Sequence, residues 1–155
     1  MIIKARRYHD ISVGHRVVGH EGKCQHLHGH NYRIHFTIEG PKLDSVGRVL
    51  DFSVIKEKLC MWLEEFWDHK FLAWIKDPLL SELVILSGGR TLSDELWTMM
   101  SESIVWVPFN PTAENMAEFL LKQIGPMQLK GTGCTLTSVT IEETRKCSVI
   151  CHLEA

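Results

Sequence analysis

Apolar and polar residues alternate over residues 31–39, Asn-Tyr-Arg-Ile-His-Phe-Thr-Ile-Glu, so that Tyr32, Ile34, Phe36 and Ile38 share one face. A period of two is the mark of a strand with one buried side. Residues 2–17 carry β-branched and aromatic side chains without helical periodicity, and the stretch between the two segments holds Gly19 and Gly22. Together they predict a long β-hairpin with an irregular tip. The period changes over residues 52–67, where Phe52, Ile55, Leu59, Leu63 and Phe66 recur at steps of three and four and predict an amphipathic helix. A second helix is expected over 112–124. Pro111 precedes it, Thr112 is suited to cap it, Met116, Phe119, Leu120 and Ile124 form its buried face, and Gly125-Pro126 reads as its stop. Residues 73–110 are less regular; within them 93–101 predict a short helix and 103–107 a short strand. The strand period returns over 136–143, with Val139 and Ile141 on one face and Thr140 and Glu142 on the other. Residues 147–153 pair back through a tight turn near Arg145-Lys146. Two strands, two helices, two strands predict an α+β fold with two main helices on one face of an antiparallel sheet. No repeat, low-complexity tract or linker interrupts the chain, so residues 1–155 read as a single domain.

Composition narrows the function classes. With 155 residues, 45% hydrophobic and 23% charged, the chain suits one globular core. A formal net charge of −2 supplies no cationic field for a nucleic acid backbone. No stretch has the length and apolarity of a membrane span, and the start lacks the basic-then-apolar order of a signal peptide. Five cysteines, an odd number without paired spacing, read as reduced thiols of a cytoplasmic protein.

The unusual number is nine histidines, most of them within residues 15–35. In Cys24-Gln25-His26-Leu27-His28-Gly29-His30-Asn31-Tyr32, a strand starting at His28 would point His28 and His30 to the same face, about 7 Å apart along the strand. Gly29 between them leaves room for a close backbone or substrate. His15, brought back by the hairpin, is the natural third ligand. Three neutral imidazoles suit zinc with its fourth position open, which is the catalytic arrangement. Spacing alone leaves open a polar strand start with no metal. His26, of the right parity but in the loop, and His35, of the opposite parity, compete as ligands.

Six ordered pieces that span nearly the whole chain resemble the 6-pyruvoyl-tetrahydropterin synthase family. They are Ser12-Val13-Gly14-His15-Arg16; Cys24 with His28-Gly29-His30-Asn31-Tyr32; Gly47 with Asp51-Phe52; Asp68-His69 with Phe71-Leu72; Pro111-Thr112-Ala113-Glu114-Asn115; and Ile141-Glu142-Glu143-Thr144. Within the family the chain is similar to the 6-carboxy-tetrahydropterin synthases of queuosine biosynthesis, because three residues separate Cys24 from His28. The resemblance implies the tunnelling fold, with three subunits closing a barrel and two rings stacking into a homohexamer. It implies zinc (Zn2+) on His15, His28 and His30. It also implies Cys24 as a proton-transfer group, a thiol that a nearby cation holds partly as thiolate. Asp68 and His69 form a proton relay in the family, which can meet Cys24 from a different subunit. Glu143 matches the anchor of the pterin ring, whose adjacent N–H and amino group suit two carboxylate oxygens. Glu142, one residue away, would take that role if the register slipped. Thr112 and Glu114 match a segment lining the pterin pocket, though both also serve as ordinary helix-start residues. Arg16 and Lys23 read either as solvated charges or as partners of a substrate triphosphate.

The implied substrate is 7,8-dihydroneopterin triphosphate. The queuosine branch gives 6-carboxy-tetrahydropterin, acetaldehyde and triphosphate, and the biopterin branch keeps the side chain as 6-pyruvoyl-tetrahydropterin. A non-catalytic pterin-binding protein that merely holds zinc is the alternative of another class. It would have no need of Cys24, Asp68 and His69.

Overall fold

A computed structural model describes residues 1–82 and 93–154. The long hairpin is its spine. Strand β1 (Lys4–His15) pairs antiparallel with β2 (His28–Glu39) without a break, from Lys4 opposite Glu39 to His15 opposite His28. β5 (Thr135–Glu142) lies on the far side of β2, and β6 (Ser148–His152) pairs with β5 through the turn expected at Arg145-Lys146. These four strands are the antiparallel sheet that the alternation predicts.

Two further strands extend it. β3 (Lys70–Trp74) runs parallel to β1, and β4 (Ile104–Val107), the strand expected at 103–107, runs parallel to β3. The result is a mixed six-stranded sheet in the order β4-β3-β1-β2-β5-β6. β3 escapes a search for alternation because its neighbours Leu72 and Ala73 are both buried, as in strands covered on both faces.

Helix α1 runs as Phe52–Ile55, a π-helical segment Lys56–Cys60 and Met61–Phe66. The wider π turn carries its apolar stripe in steps of four, so Ile55, Leu59, Leu63 and Trp67 face the core. Phe52 and Phe66, expected in that stripe, are exposed instead. Helix α2 (Asp94–Ser103) matches the short helix expected at 93–101. Helix α3 is Ala113–Phe119, a π segment Leu120–Ile124 and Gly125–Gln128. Gly125-Pro126 therefore does not stop it. Pro126 has no N–H to give, and it is accommodated where the π turn has already loosened the hydrogen-bond ladder.

α1 and α3 cover the face on which Ile11, Val13, Ile34, Phe36, Ile38, Val139 and Ile141 are buried, and this is the core of the described residues. α3 crosses β5 at Gly125, where an added Cβ would stand 2.6 Å from Leu136 Cδ2 and 2.9 Å from Leu136 Cβ. Better helix propensity offsets only part of that overpacking. Gly125→Ala is expected to destabilise by about 1–2 kcal/mol, read as a lower denaturant midpoint at unchanged slope.

Candidate active site

The hairpin register builds the histidine cluster. His15 stands opposite His28 and Val13 opposite His30, so all three imidazoles project from the helix-covered face at one end of the sheet. Their ligand nitrogens lie within 4.8 Å of one another. His15 is buried, and its Nδ1–H donates to the Pro111 carbonyl at 2.6 Å. His28 Nδ1–H donates to the His26 carbonyl at 2.7 Å. A neutral imidazole with its proton on Nδ1 presents a bare lone pair at Nε2. The two Nε2 atoms nevertheless face each other at 3.1 Å. His30 Nε2 is buried beside them with no hydrogen-bond partner among the described residues. Burial holds the pKa values of His15 and His30 below the ordinary histidine range, so the neutral, ligating form is favoured.

Three converging lone pairs repel unless a cation sits among them. Tetrahedral zinc, with Zn–N bonds near 2.0–2.1 Å, would hold its nitrogens ~3.4 Å apart, near the 3.1 Å between His15 and His28 and inside the 4.8 Å that spans all three. The residues fit the metal. His26 lends only its carbonyl. His35, of opposite parity, lies on the other face and meets Glu142 at 2.6 Å.

Glu143 follows the end of β5 and turns toward the cluster. Its Oε1 lies 3.5 Å from His30 Nε2 and 3.8 Å from His15 Nε2, and accepts from the Tyr32 hydroxyl at 3.2 Å. Burial, reinforced by the Glu143 carboxylate, pushes the Tyr32 phenol well above its usual range and keeps it a proton donor. With Glu142 engaged on the opposite face, Glu143 alone of the pair reaches this site.

A cleft of about 430 Å³ adjoins, lined by Cys24, Thr112, Glu114 and Glu143 together with His20 and Cys147. Cys24 sits in a short 3-10 helix (Lys23–Gln25) at the hairpin tip. Thr112 also caps α3, accepting from the Asn115 N–H at 3.2 Å, so its hydroxyl already has work at the helix start. His20 was not singled out by sequence. Its Nδ1 accepts from the Gly22 N–H at 2.8 Å, and the only signal for it is its spacing of four from Cys24.

Asp68 and His69 lie elsewhere. They line a cleft of about 570 Å³ that also includes Ser12, Asn31, Arg33 and Glu142 and shares no lining residue with the Cys24 cleft. Asp68 accepts the Ser12 N–H at 2.8 Å through Oδ1 and bonds His69 Nδ1 at 2.6 Å through Oδ2. Burial opposes ionisation of Asp68, but these bonds outweigh it and its pKa falls below the ordinary carboxylate range. His69 adopts a left-handed conformation, φ 55°, which is costly for a non-glycine residue, and its side chain is exposed. Within one chain, then, Cys24 is not joined to the Asp68-His69 pair. Nor is Arg16 a solvated charge: its guanidinium is tied to Asp77 at 2.6 Å. Lys23 is exposed.

A three-histidine centre on a strand hairpin, next to a cleft with a thiol and a carboxylate, is a setting for metal-assisted acid–base chemistry. Residues 4–154 match the family described as 6-pyruvoyl tetrahydropterin synthase, and the chain belongs to that family. It is 31% identical over 148 residues to the 6-carboxy-5,6,7,8-tetrahydropterin synthase of Rickettsia bellii, covering 96% of this chain and 99% of the relative. Among solved structures, an uncharacterized protein from Wolinella succinogenes matches with a TM-score of 0.85 at 26% identity over 99% of both chains. The 6-pyruvoyl tetrahydropterin synthase of Plasmodium vivax matches with a TM-score of 0.66 at 17% identity over 99% of both, a likeness of fold. The fold is the tunnelling fold that the resemblance implied.

Proposed function

We propose that the chain is a zinc-dependent 6-carboxy-5,6,7,8-tetrahydropterin synthase that converts 7,8-dihydroneopterin triphosphate to 6-carboxy-tetrahydropterin, acetaldehyde and triphosphate. The observation that carries the reading is the pair of Nε2 lone pairs facing each other at 3.1 Å beside the thiol-bearing cleft. The relative from Rickettsia bellii, similar over almost its whole length, carries that name.

His15, His28 and His30 would hold the zinc, with the Pro111 and His26 carbonyls fixing two of the rings. Bound there, zinc supplies Lewis acidity that lowers the pKa of a side-chain hydroxyl and stabilises negative charge on oxygen. Glu143 would bind the pterin, one oxygen oriented by Tyr32 and the pair accepting the ring N–H and amino group. Cys24 would exchange a proton with the substrate side chain from the same cleft as Glu143. Asp68 would orient His69 through the 2.6 Å bond to Nδ1, leaving Nε2 to carry a proton. Since each chain keeps Cys24 and His69 in separate clefts, a complete relay would draw them from two subunits of a homohexamer, in a cytoplasmic enzyme.

Incubating the metal-loaded protein with 7,8-dihydroneopterin triphosphate and identifying products by mass tests the reading. Acetaldehyde with 6-carboxy-tetrahydropterin is expected. Triphosphate release with the side chain retained would assign the chain to the 6-pyruvoyl branch instead, and tight binding without turnover would make it a pterin-holding protein.

A further inference from the structure

The loop that carries Cys24 has few apolar contacts of its own: none of the residues of its 3-10 helix is buried. Something other than packing must set where the thiol stands. Outside the histidine centre, the enclosed polar group nearby is Asp77, and its partner is Arg16, whose side chain is 13% exposed. Arg16 Nε and Nη2 grip the two carboxylate oxygens at 2.6 and 3.2 Å, a forked geometry that a lysine could not supply. The Asp77 carboxylate also accepts the N–H groups of Leu79 and Leu80 at 2.9 and 3.3 Å, at the start of the helical turn 78–82. Asp77 is thereby fixed to the scaffold beyond β3.

Arg16 has a third bond, and it points the other way. Nη1 donates to the carbonyl of Gln25 at 2.8 Å, next to Cys24 in the chain. The backbone adds Val17 N–H to the Cys24 carbonyl at 2.8 Å. Arg16 itself follows His15. One guanidinium therefore links the scaffold at Asp77, the strand end that bears a metal-ligating histidine, and the peptide beside the thiol. Asn110 holds the same loop from another side, its amide accepting from Val18 N–H at 3.0 Å and donating to the Val18 carbonyl at 2.9 Å, but it does not reach Cys24.

We infer that Asp77, acting through the forked Arg16 guanidinium, is a positioning residue that sets the Cys24 thiol relative to the histidine centre. Its bearing on catalysis rests on the proposed role of Cys24; the positioning itself does not. Neutralising the carboxylate loosens the anchor of the guanidinium that holds the Gln25 carbonyl, and shortening the fork to a point charge removes that hold outright; either lets the loop drift while His15, His28 and His30 stay in place.

The test compares Asp77→Asn, Arg16→Lys and the parent protein, each loaded with zinc. Three quantities are measured: metal per chain, the rate at which iodoacetamide modifies Cys24 followed by peptide mass, and kcat and KM on 7,8-dihydroneopterin triphosphate. Metal content is expected to match the parent. Cys24 modification is expected to quicken about threefold or more as the loop opens. Misplacing a proton-transfer group by ~1 Å costs about tenfold to a hundredfold, so kcat is expected to fall by that much with KM within about twofold. A strut that merely stabilised the fold would lower the melting temperature and leave thiol reactivity and kcat alone. Parent-like modification rates and kcat in a metal-loaded variant would therefore overturn the inference. Should Asp77→Asn fail to fold, Arg16→Lys decides, because it keeps a cation opposite Asp77. Should the parent itself yield no product, an altered Cys24 modification rate still upholds the positioning and only the proposed reaction falls.

Discussion

His28→Ala is expected to strip the protein of its metal and of measurable turnover while leaving the chain folded. His28 sits at the solvent edge of the hairpin, half-buried, and its loss opens no cavity in the core. What it removes is one of three converging nitrogens. Four-ligand zinc sites are worth about 10–16 kcal/mol, so one ligand carries roughly 3–4 kcal/mol, or a loss of affinity on the order of a few hundredfold to a thousandfold. Metal content after dialysis checks this, and thermal unfolding provides an independent reading. A metal that binds only the native state raises its stability, so chelation should lower the melting temperature of the parent and leave His28→Ala unmoved. Removing one imidazole should also relieve the lone-pair conflict at 3.1 Å, so the metal-free variant should be no less stable than the metal-free parent. Retention of a full complement of tightly held metal by His28→Ala would remove the cluster from the account.

The hairpin was the most legible part of the chain, because a period of two fixes which side chains share a face. Once His28 is on β2, His30 follows by parity and His15 by the return of the strand, which the register of His15 opposite His28 matches. The same rule separates Glu142 from Glu143 and His35 from the cluster. Legibility failed where neighbours in space leave no period in the chain. β3 is short and buried at adjacent positions. The π segment Lys56–Cys60 shifts the inward face of α1 to steps of four, which leaves Phe52 and Phe66 outside. Asp77 had a local signal, an acidic residue directly before Pro78 of the kind that opens a helix, but nothing in the chain announces that Arg16 comes to meet it. Asp68 and His69 are a different case. Their adjacency is plain in the sequence, yet no pattern in the chain tells that they line a cleft separate from that of Cys24.

Cys24→Ala separates the two halves of the site. Among the described residues the thiol is not hydrogen-bonded to the groups that orient the histidine rings: the Nδ1 atoms of His15 and His28 are held by the carbonyls of Pro111 and His26. Zinc content is therefore expected to equal that of the parent. Substrate affinity should also change little, since Glu143, the proposed pterin anchor, and the Tyr32 hydroxyl that orients it are untouched. On the proposed role of Cys24 it is the proton-transfer step that suffers, and groups of this kind contribute about 10²–10⁴-fold to rate. Steady-state kinetics should show kcat down by that factor with KM near the parent value, the pattern of an interaction made in the transition state and not in the ground state. Cys24→Ser refines the reading. A hydroxyl of similar size keeps the packing, but its proton is far harder to remove than a thiol's near neutral pH, so kcat should stay close to that of Cys24→Ala. A serine variant with parent-like kcat would mean that the position needs only a small polar side chain. Unaltered turnover in Cys24→Ala would take the thiol out of the chemistry and leave His69 to move the proton alone.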